Sequence, residues 1–233
     1  MWIKICGVTR TEDILAVIQS GADAIGFNFF PQSKRFVSIA TARLLAETAR
    51  QATIDSPCVD LVGVFVNAHA DTVKETAESV GMNAIQLHGD ESPEQVAAIH
   101  DLCPALPLIR AFRVDPKNPE LALRDIDRLT ALVPISAILL DAFVPGEFGG
   151  TGTAVDLSIL PAYFAQPRPP LILAGGLTPT NVASIATQRA VWGIDTASGV
   201  ELSPGIKDQN RIVQFIKATR SADINSDVVR LQA

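Results

Sequence analysis

The sequence predicts a single (β/α)8 TIM barrel, and three observations point to it. Short runs rich in Val, Ile, Leu and Phe alternate with segments of helical periodicity eight times along the chain. Those eight units occupy about 220 of the 233 residues, close to the lower length for such a barrel. Two glycine loops, Leu173-Ala174-Gly175-Gly176-Leu177 and Asp195-Thr196-Ala197-Ser198-Gly199, close the last two apolar runs. A doubly wound sheet, the main alternative, usually carries its phosphate glycines after the first strand.

The first unit pairs a strand over Trp2 to Cys6 with a helix opened by Thr11, whose hydroxyl is expected to cap; Glu12 and Asp13 suit its first turn, and Gly21 ends it. A strand from Ala24 to Phe29 leads through Ser33, Lys34 and Arg35 to a helix over Ile39 to Arg50. The third strand, Leu61 to Val66, is almost wholly apolar, as suits a parallel strand covered on both faces, and a helix over Asp71 to Val80 follows. Ala84 to Leu87 is the fourth strand, and Pro93 suits the first turn of the next helix. The fifth strand is expected over Leu108 to Phe112 with a helix over Glu120 to Leu132. The sixth strand, Ala137 to Leu140, is followed by a Gly/Pro-rich loop from Pro145 to Gly152 and a short helical stretch over Asp156 to Phe164. Leu171 to Leu173 and Val191 to Ile194 are the last strands, followed by helices from Thr180 or Asn181 and over Ile206 to Thr219. One barrel domain over residues 1–219 is expected, with a loosely ordered tail over 220–233.

Composition narrows the function. With 48% hydrophobic residues the chain can bury a large core. The net charge of −6, from 25 acidic against 19 basic side chains and without a dense Lys/Arg run, speaks against nucleic acid as a partner. There is no stretch of eighteen apolar residues and no basic apolar leader, so neither membrane insertion nor export is expected. Three cysteines, an odd count without metal-like spacing, fit reduced thiols and a cytoplasmic setting. No His, Asp and Glu set has metal-ligand spacing, and neither a dinucleotide fingerprint nor a P-loop is present; no metal or cofactor is expected.

In a parallel barrel, chemistry collects where strands end. The residues there are Cys6, Asn28, Asn67, Gln86 or His88, Arg113, Asp141, Gly175 with Gly176, and Asp195 to Gly199. Glycine lets backbone N–H groups converge on an anion, so the two loops predict a phosphorylated small molecule as ligand. Cys6 is a candidate base or nucleophile, or else an inert buried thiol. Cys58 and Cys103 lie beside prolines in connecting segments and are expected to be structural or exposed. Asp141 is either a proton donor whose pKa burial raises, or a carboxylate satisfied by loop N–H groups. Arg35 can hold a carboxylate through two bonds, or be a solvated loop charge like Lys34. His88 is a base or a hydrogen-bonded structural group. Gly149-Gly150-Thr151-Gly152 either closes over a ligand or is simply a turn.

Taken together, these motifs resemble the phosphoribosylanthranilate isomerase family over residues 3 to about 217. The likeness rests on Lys4-Ile5-Cys6-Gly7-Val8-Thr9, Gly26-Phe27 with Ser33-Lys34-Arg35-Phe36-Val37, Val62 to Asn67, and Gln86-Leu87-His88-Gly89. It continues with Leu139-Leu140-Asp141, Gly149 to Gly152, Leu173 to Leu177 with Pro179 and Asn181-Val182, Ser198-Gly199-Val200-Glu201, Pro204-Gly205 and Lys207-Asp208. The resemblance implies an Amadori rearrangement without a cofactor, in which N-(5-phosphoribosyl)anthranilate becomes 1-(2-carboxyphenylamino)-1-deoxyribulose 5-phosphate. It implies Cys6 as general base at C2′ and Asp141 as general acid on the furanose oxygen. Arg35 is implied to engage the anthranilate carboxylate, and backbone amides around Gly175, Gly176, Ser198 and Gly199 the 5-phosphate. Asp195 is implied to reach a sugar hydroxyl. A thiol of reference pKa about 8.5 needs only a modest shift to serve as base near neutrality. Thr196-Ala197 stand where the family often has Val-Ser, Val155 and Leu157 replace frequent aromatics, and Asn28 is more polar than usual. A histidine-pathway or dual-substrate isomerase would instead carry aspartates on strands one and five, where this chain has Cys6 and Phe112-Arg113. A barrel that binds a phosphorylated effector without turning it over is the reading from another class.

Overall fold

Eight strands close in chain order into one parallel barrel in a computed structural model that describes residues 1–54, 58–142, 157–188 and 190–230. They are β1 (Trp2–Cys6), β2 (Ala24–Asn28), β3 (Asp60–Phe65), β4 (Ala84–Leu87), β5 (Leu108–Val114), β6 (Ala137–Ala142), β7 (Leu171–Leu173) and β8 (Gly193–Thr196). The helices are α1 (Thr11–Gln19), α2 (Ile39–Ala52), α3 (Ala70–Val80), α4 (Pro93–Leu102), α5 (Pro119–Thr130), α6 (Leu160–Phe164), α7 (Val182–Ala186) and α8 (Gln209–Arg230). A parallel pair between β1 and β8, with Lys4 opposite Asp195, seals the barrel.

The two-residue period of each strand separates two cores. Residues such as Ile3, Ile5, Ile25, Phe27, Ile85, Ile138, Leu140 and Leu173 face the helices, where they meet α1 Ile14 and Val17, α4 Val96 and Ile99, and α8 Ile212 and Phe215. The alternate positions Ala24, Val62, Ala84, Ile109, Ala111, Ala137, Leu139, Ile172 and Ala174 fill the barrel itself, with Trp2 against them at the amino end. Small and large side chains must interleave in that narrow space. Gly193 is small for this reason: a Cβ there would come within 3.0 Å of the Trp2 ring.

Helix signals explain most boundaries. On α3, Val73, Thr76, Ala77 and Val80 are buried at helical spacing, and Gly81 ends the helix with a left-handed φ of 69°. On α4, Ser92 and Gln95 exchange backbone and side-chain bonds around Pro93 in a full capping box. Thr11 differs from expectation. It is the first helical residue rather than the cap, its hydroxyl donates to Glu12, and the orphan end of α1 is instead braced by Arg10 bonded to buried Asp13.

The largest local difference follows β8. The helix expected from Ile206 begins at Gln209, because Pro204-Gly205 turns a small antiparallel hairpin, β9 (Glu201–Ser203) with β10 (Ile206–Lys207). Gly205 takes a φ of 83° that a side chain would strain. Asp208 then accepts from the N–H groups of Asn210 and Arg211, a cap that starts α8 later than hydrophobicity alone suggests. The helix continues to Arg230, and its Arg220 donates to Met1 O and to Asp23 Oδ2 under the barrel. Strand β8 also runs further than expected, so Asp195 and Thr196 lie within it, as Asp141 lies within β6. Among the described residues no helix is long and apolar enough to cross a membrane.

Candidate active site

The carboxyl ends of the strands open on a cavity of about 590 Å3. Cys6 from β1, Asn28 from β2, Arg35 from the following loop, His88, Asp141 from β6, Gly175, Gly176, Asp195 and Ser198 all line it. The expected ring therefore forms, except that Asn67, Arg113, Gln86 and Gly199 do not line the cavity. Asn67, at a left-handed φ of 51°, uses its side chain to accept from the Asp90 N–H. Arg113 pairs with Asp90 beside a separate depression. Gln86 lies beneath His88, fully buried, and donates through Nε2 to His88 Nδ1 at 2.8 Å. Gly149 to Gly152, Val155 and Asp156 lie outside the described residues.

The wall made by β7 and β8 is built from backbone. Gly175 and Gly176 both hold positive φ, 80° and 55°. Their N–H groups bind no carbonyl or side chain among the described residues, so both remain donors at the cavity edge. Asn181 steadies that loop by donating to Gly176 O at 2.9 Å while accepting from Thr178 N. Thr196 ties the two loops together through a bond to Leu177 O at 2.7 Å. Gly199 packs so closely on the same carbonyl that a Cβ would come within 1.8 Å of it. Gly199 thus shapes the turn, and Ser198 faces the cavity.

The wall made by β1 and β2 is built from charge. Lys4 is fully buried inside the barrel, and its Nζ donates to Asp195 Oδ1 at 2.8 Å. Burial pushes the Lys4 ammonium down, but Asp195 and the Cys6 thiol outweigh it, and the net direction is up. Burial pushes the Cys6 thiol up, Asp195 adds to that, and Lys4 and Lys207 oppose it without cancelling it. The thiol therefore holds its proton more tightly than the sequence suggests, because the barrel removes water from it.

Arg35 is not a solvated loop charge. Its Nε and Nη2 donate to Glu201 Oε1 and Oε2 at 2.9 and 2.7 Å, and Gly7 is required beneath it, since a Cβ there would sit 2.5 Å from Arg35 Cδ. Glu201 also accepts from Lys207 Nζ at 2.8 Å, and the same ammonium donates to Cys6 O at 2.6 Å and Ala197 O at 3.1 Å. Burial pushes the Glu201 carboxyl up, yet bonds from Arg35 and Lys207 hold it below the usual range. Lys207, nearly inaccessible, is pushed down by burial despite Glu201. Glu201 and Lys207 fall within motifs of the sequence but carry no assigned role there; two opposite charges flanking a Pro-Gly turn are the available signal.

Asp141 is 3% exposed, and the His88 Nε2 stands 3.3 Å from its Oδ2. That separation lacks hydrogen-bond alignment, and His88 Nε2 has no other partner among the described residues. With Gln86 donating to Nδ1, the ring carries its proton on Nε2, facing the carboxyl; this tautomer follows from the bond network. Among the described residues no group of three or more His, Cys, Asp and Glu could hold a metal.

A parallel barrel whose mouth unites a thiol, a buried carboxyl and a glycine cradle belongs to the (β/α)8-barrel enzymes. Comparison with known proteins makes the class particular. Residues 3–218 match the family model for N-(5'phosphoribosyl)anthranilate (PRA) isomerase. The N-(5'-phosphoribosyl)anthranilate isomerase of Myxococcus xanthus is 40% identical over 225 residues, 95% of this chain and 97% of that protein. The crystal structure of phosphoribosyl anthranilate isomerase from Thermotoga maritima superimposes with a TM-score of 0.79 at 36% identity, covering 95% of this chain and 99% of that one. A phosphoribosyl anthranilate isomerase in complex with reduced 1-(o-carboxyphenylamino)-1-deoxyribulose 5-phosphate superimposes at 0.74 with 34% identity over 95% and 99% of the two chains. This chain belongs to the N-(5'-phosphoribosyl)anthranilate isomerase family.

Proposed function

We propose that this chain converts N-(5-phosphoribosyl)anthranilate to 1-(2-carboxyphenylamino)-1-deoxyribulose 5-phosphate in tryptophan biosynthesis, with Cys6 as general base and Asp141 as general acid. The observation that carries this reading is the cavity itself, lined at once by Cys6, Asp141, Arg35 and both glycine loops. Asp141 donates its proton to the furanose oxygen as the bond from C1′ to that oxygen breaks, and the anthranilate nitrogen supplies the electrons for the Schiff base. The Cys6 thiolate then takes the C2′ proton. The freed pair forms the C1′–C2′ double bond while the Schiff-base electrons return to nitrogen, and tautomerisation of the resulting enol gives the ketone. No redox cofactor enters this balance, since oxidation at C2′ equals reduction at C1′.

Substrate placement follows from the two walls. The N–H groups of Gly175 and Gly176, with those around Ser198 and Gly199, hold the 5-phosphate. Arg35 offers its remaining nitrogen, Nη1, to the anthranilate carboxylate while Glu201 keeps the guanidinium in plane. Asp195 gives one oxygen to Lys4 and the other to a sugar hydroxyl. Three free cysteines suit a reducing cytoplasm as the site of the reaction.

Growth of a tryptophan-requiring host that lacks this isomerase tests the reading. The wild-type gene is expected to restore growth and Cys6→Ser to fail; rescue by neither sinks it. With purified protein, Asp141→Asn is expected to lower kcat by about three orders of magnitude or more while product affinity changes little. An undiminished kcat would remove Asp141 as the acid.

A further inference from the structure

Lys4 is a charged side chain sealed inside the barrel, and the acid–base steps above leave it without a task. An ammonium in such a place is costly unless it is paired, and a hydrophobic residue of similar size would fill the space at less cost. It shares the inward parity of Cys6, two residues away on β1. Gly26, opposite Cys6 on β2, measures how closely they meet: a Cβ there would lie 2.9 Å from the Cys6 sulfur and 3.2 Å from the Lys4 nitrogen. Glycine at this place leaves room for both heads. On the far side the same ammonium holds Asp195 Oδ1 at 2.8 Å.

We propose that Lys4 is a positioning residue that supplies the counter-charge for a Cys6 thiolate, and that Asp195 limits how much of that charge the sulfur receives. The proposal rests on the reading of Cys6 as base. A thiolate formed on this half-buried wall is poorly hydrated, so a nearby cation stabilises it. Lys4 is the cation on the same inward face, its ammonium and the sulfur both crowding the Gly26 position, and its charge opposes the upward push of burial on the thiol. The other charges facing the sulfur are arranged differently. Lys207 on β10 spends its donors on Cys6 O, Ala197 O and Glu201, and Arg35 is bound to Glu201. His88, just past β4, and Asp141 on β6 stand across the cavity. Among the described residues Asp195 is the one carboxylate bonded to Lys4, so its charge works against the sulfur through that ammonium. A substrate hydroxyl that drew on Asp195 would weaken its hold on Lys4 and turn more of the positive charge toward Cys6 at the moment a base is needed.

The test is the pH dependence of Cys6 alkylation by iodoacetamide in substrate-free enzyme, followed on the Cys6 peptide by mass spectrometry so that exposed Cys58 does not contribute. Lys4→Met is expected to raise the midpoint by about one unit or more, and Asp195→Asn to lower it. Should Lys4→Met fail to fold around an unpaired Asp195 carboxylate, the double variant Lys4→Met with Asp195→Asn replaces the ion pair by a neutral one, and its midpoint is also expected above wild type. The rise of kcat/KM with pH is expected to move with the thiol in each variant that folds, with about a tenfold loss at neutral pH for Lys4→Met. A midpoint unmoved in Lys4→Met or in the double variant, or raised by Asp195→Asn, overturns the proposal even if Cys6→Ser is inactive. Midpoints that move as expected in an enzyme whose Cys6→Ser form still turns over leave the charge coupling standing and overturn the base.

Discussion

The two walls of the cavity are made from different materials. The β7–β8 wall presents backbone N–H groups from glycines in conformations that other residues rarely adopt, and its described residues include no cation. The β1–β2 wall carries charges paired across the closure of the barrel, Lys4 of β1 with Asp195 of β8, and Arg35 after β2, together with Lys207, with Glu201 of β9. Fixed dipoles suit a group whose charge stays the same throughout a reaction. Paired charges suit groups whose protonation must be controlled. The glycine cradle gives an anchor of fixed dipoles, and the paired charges, Asp195 of β8 among them, set the acidity of the thiol.

The walls should therefore fail differently. The largest effect is expected from Gly199→Ala, where the new methyl would drive into Leu177 O. The loop must move or the protein unfold, at a cost of about 3 kcal/mol, and product affinity should fall on the order of 100-fold. Urea unfolding and calorimetry on the product check both. The Cys6 alkylation midpoint should stay at its wild-type value, and a displaced midpoint would mean that the walls are not separable.

Glu201→Gln attacks the other wall and should rank second, costing about 2–3 kcal/mol because buried Lys207 and half-buried Arg35 lose their anion while an amide keeps part of their hydrogen bonding. The Glu201 carboxyl is held below its ordinary range in the fold. Its contribution is accordingly complete above the ordinary glutamate value and is lost as pH falls through the lower folded value. Urea midpoints of wild type and Glu201→Gln should differ near neutrality and converge in acid. A gap that stayed constant down the acid range would show that Glu201 acts by packing alone. Arg35, released from its partner, should also hold the carboxylated ring less tightly, seen as a raised KM.

How far each wall is legible in the sequence follows from what it is made of. A backbone that needs positive φ writes glycine, so Gly175 and Gly176 announce themselves. Cys6 and Asp141 stand out because polar groups interrupt the ends of apolar strands. Lys4 follows the same parity as Cys6, but a lysine near the start of a strand reads as solvent-exposed until closure against Asp195 on β8 is known. Glu201 and Lys207 are obscured by the same kind of long-range fact: they meet only because Pro204-Gly205 folds β9 onto β10, where hydrophobic periodicity suggests the start of a helix. The burial that turns the Cys6 thiol upward is likewise a property of the closed barrel, not of the Cys-Gly pair.

The finest test concerns the one side chain that joins the two glycine loops. Thr196 donates to Leu177 O at 2.7 Å, and Gly199 packs on the same carbonyl. Thr196→Val keeps the shape and removes the donor, which leaves that carbonyl short of a partner in a buried place and costs about 1 kcal/mol. If the anchor depends on the loops keeping their spacing, product affinity should fall about threefold to tenfold, with kcat nearly unchanged because Cys6 and Asp141 sit on other strands. Calorimetry with inorganic phosphate as well as product separates the contributions. Equal affinities for both ligands in the two proteins would mean that each loop is held by its own turn, Asn181 on one side and the Gly199 packing on the other, and that the bond between them is incidental to binding.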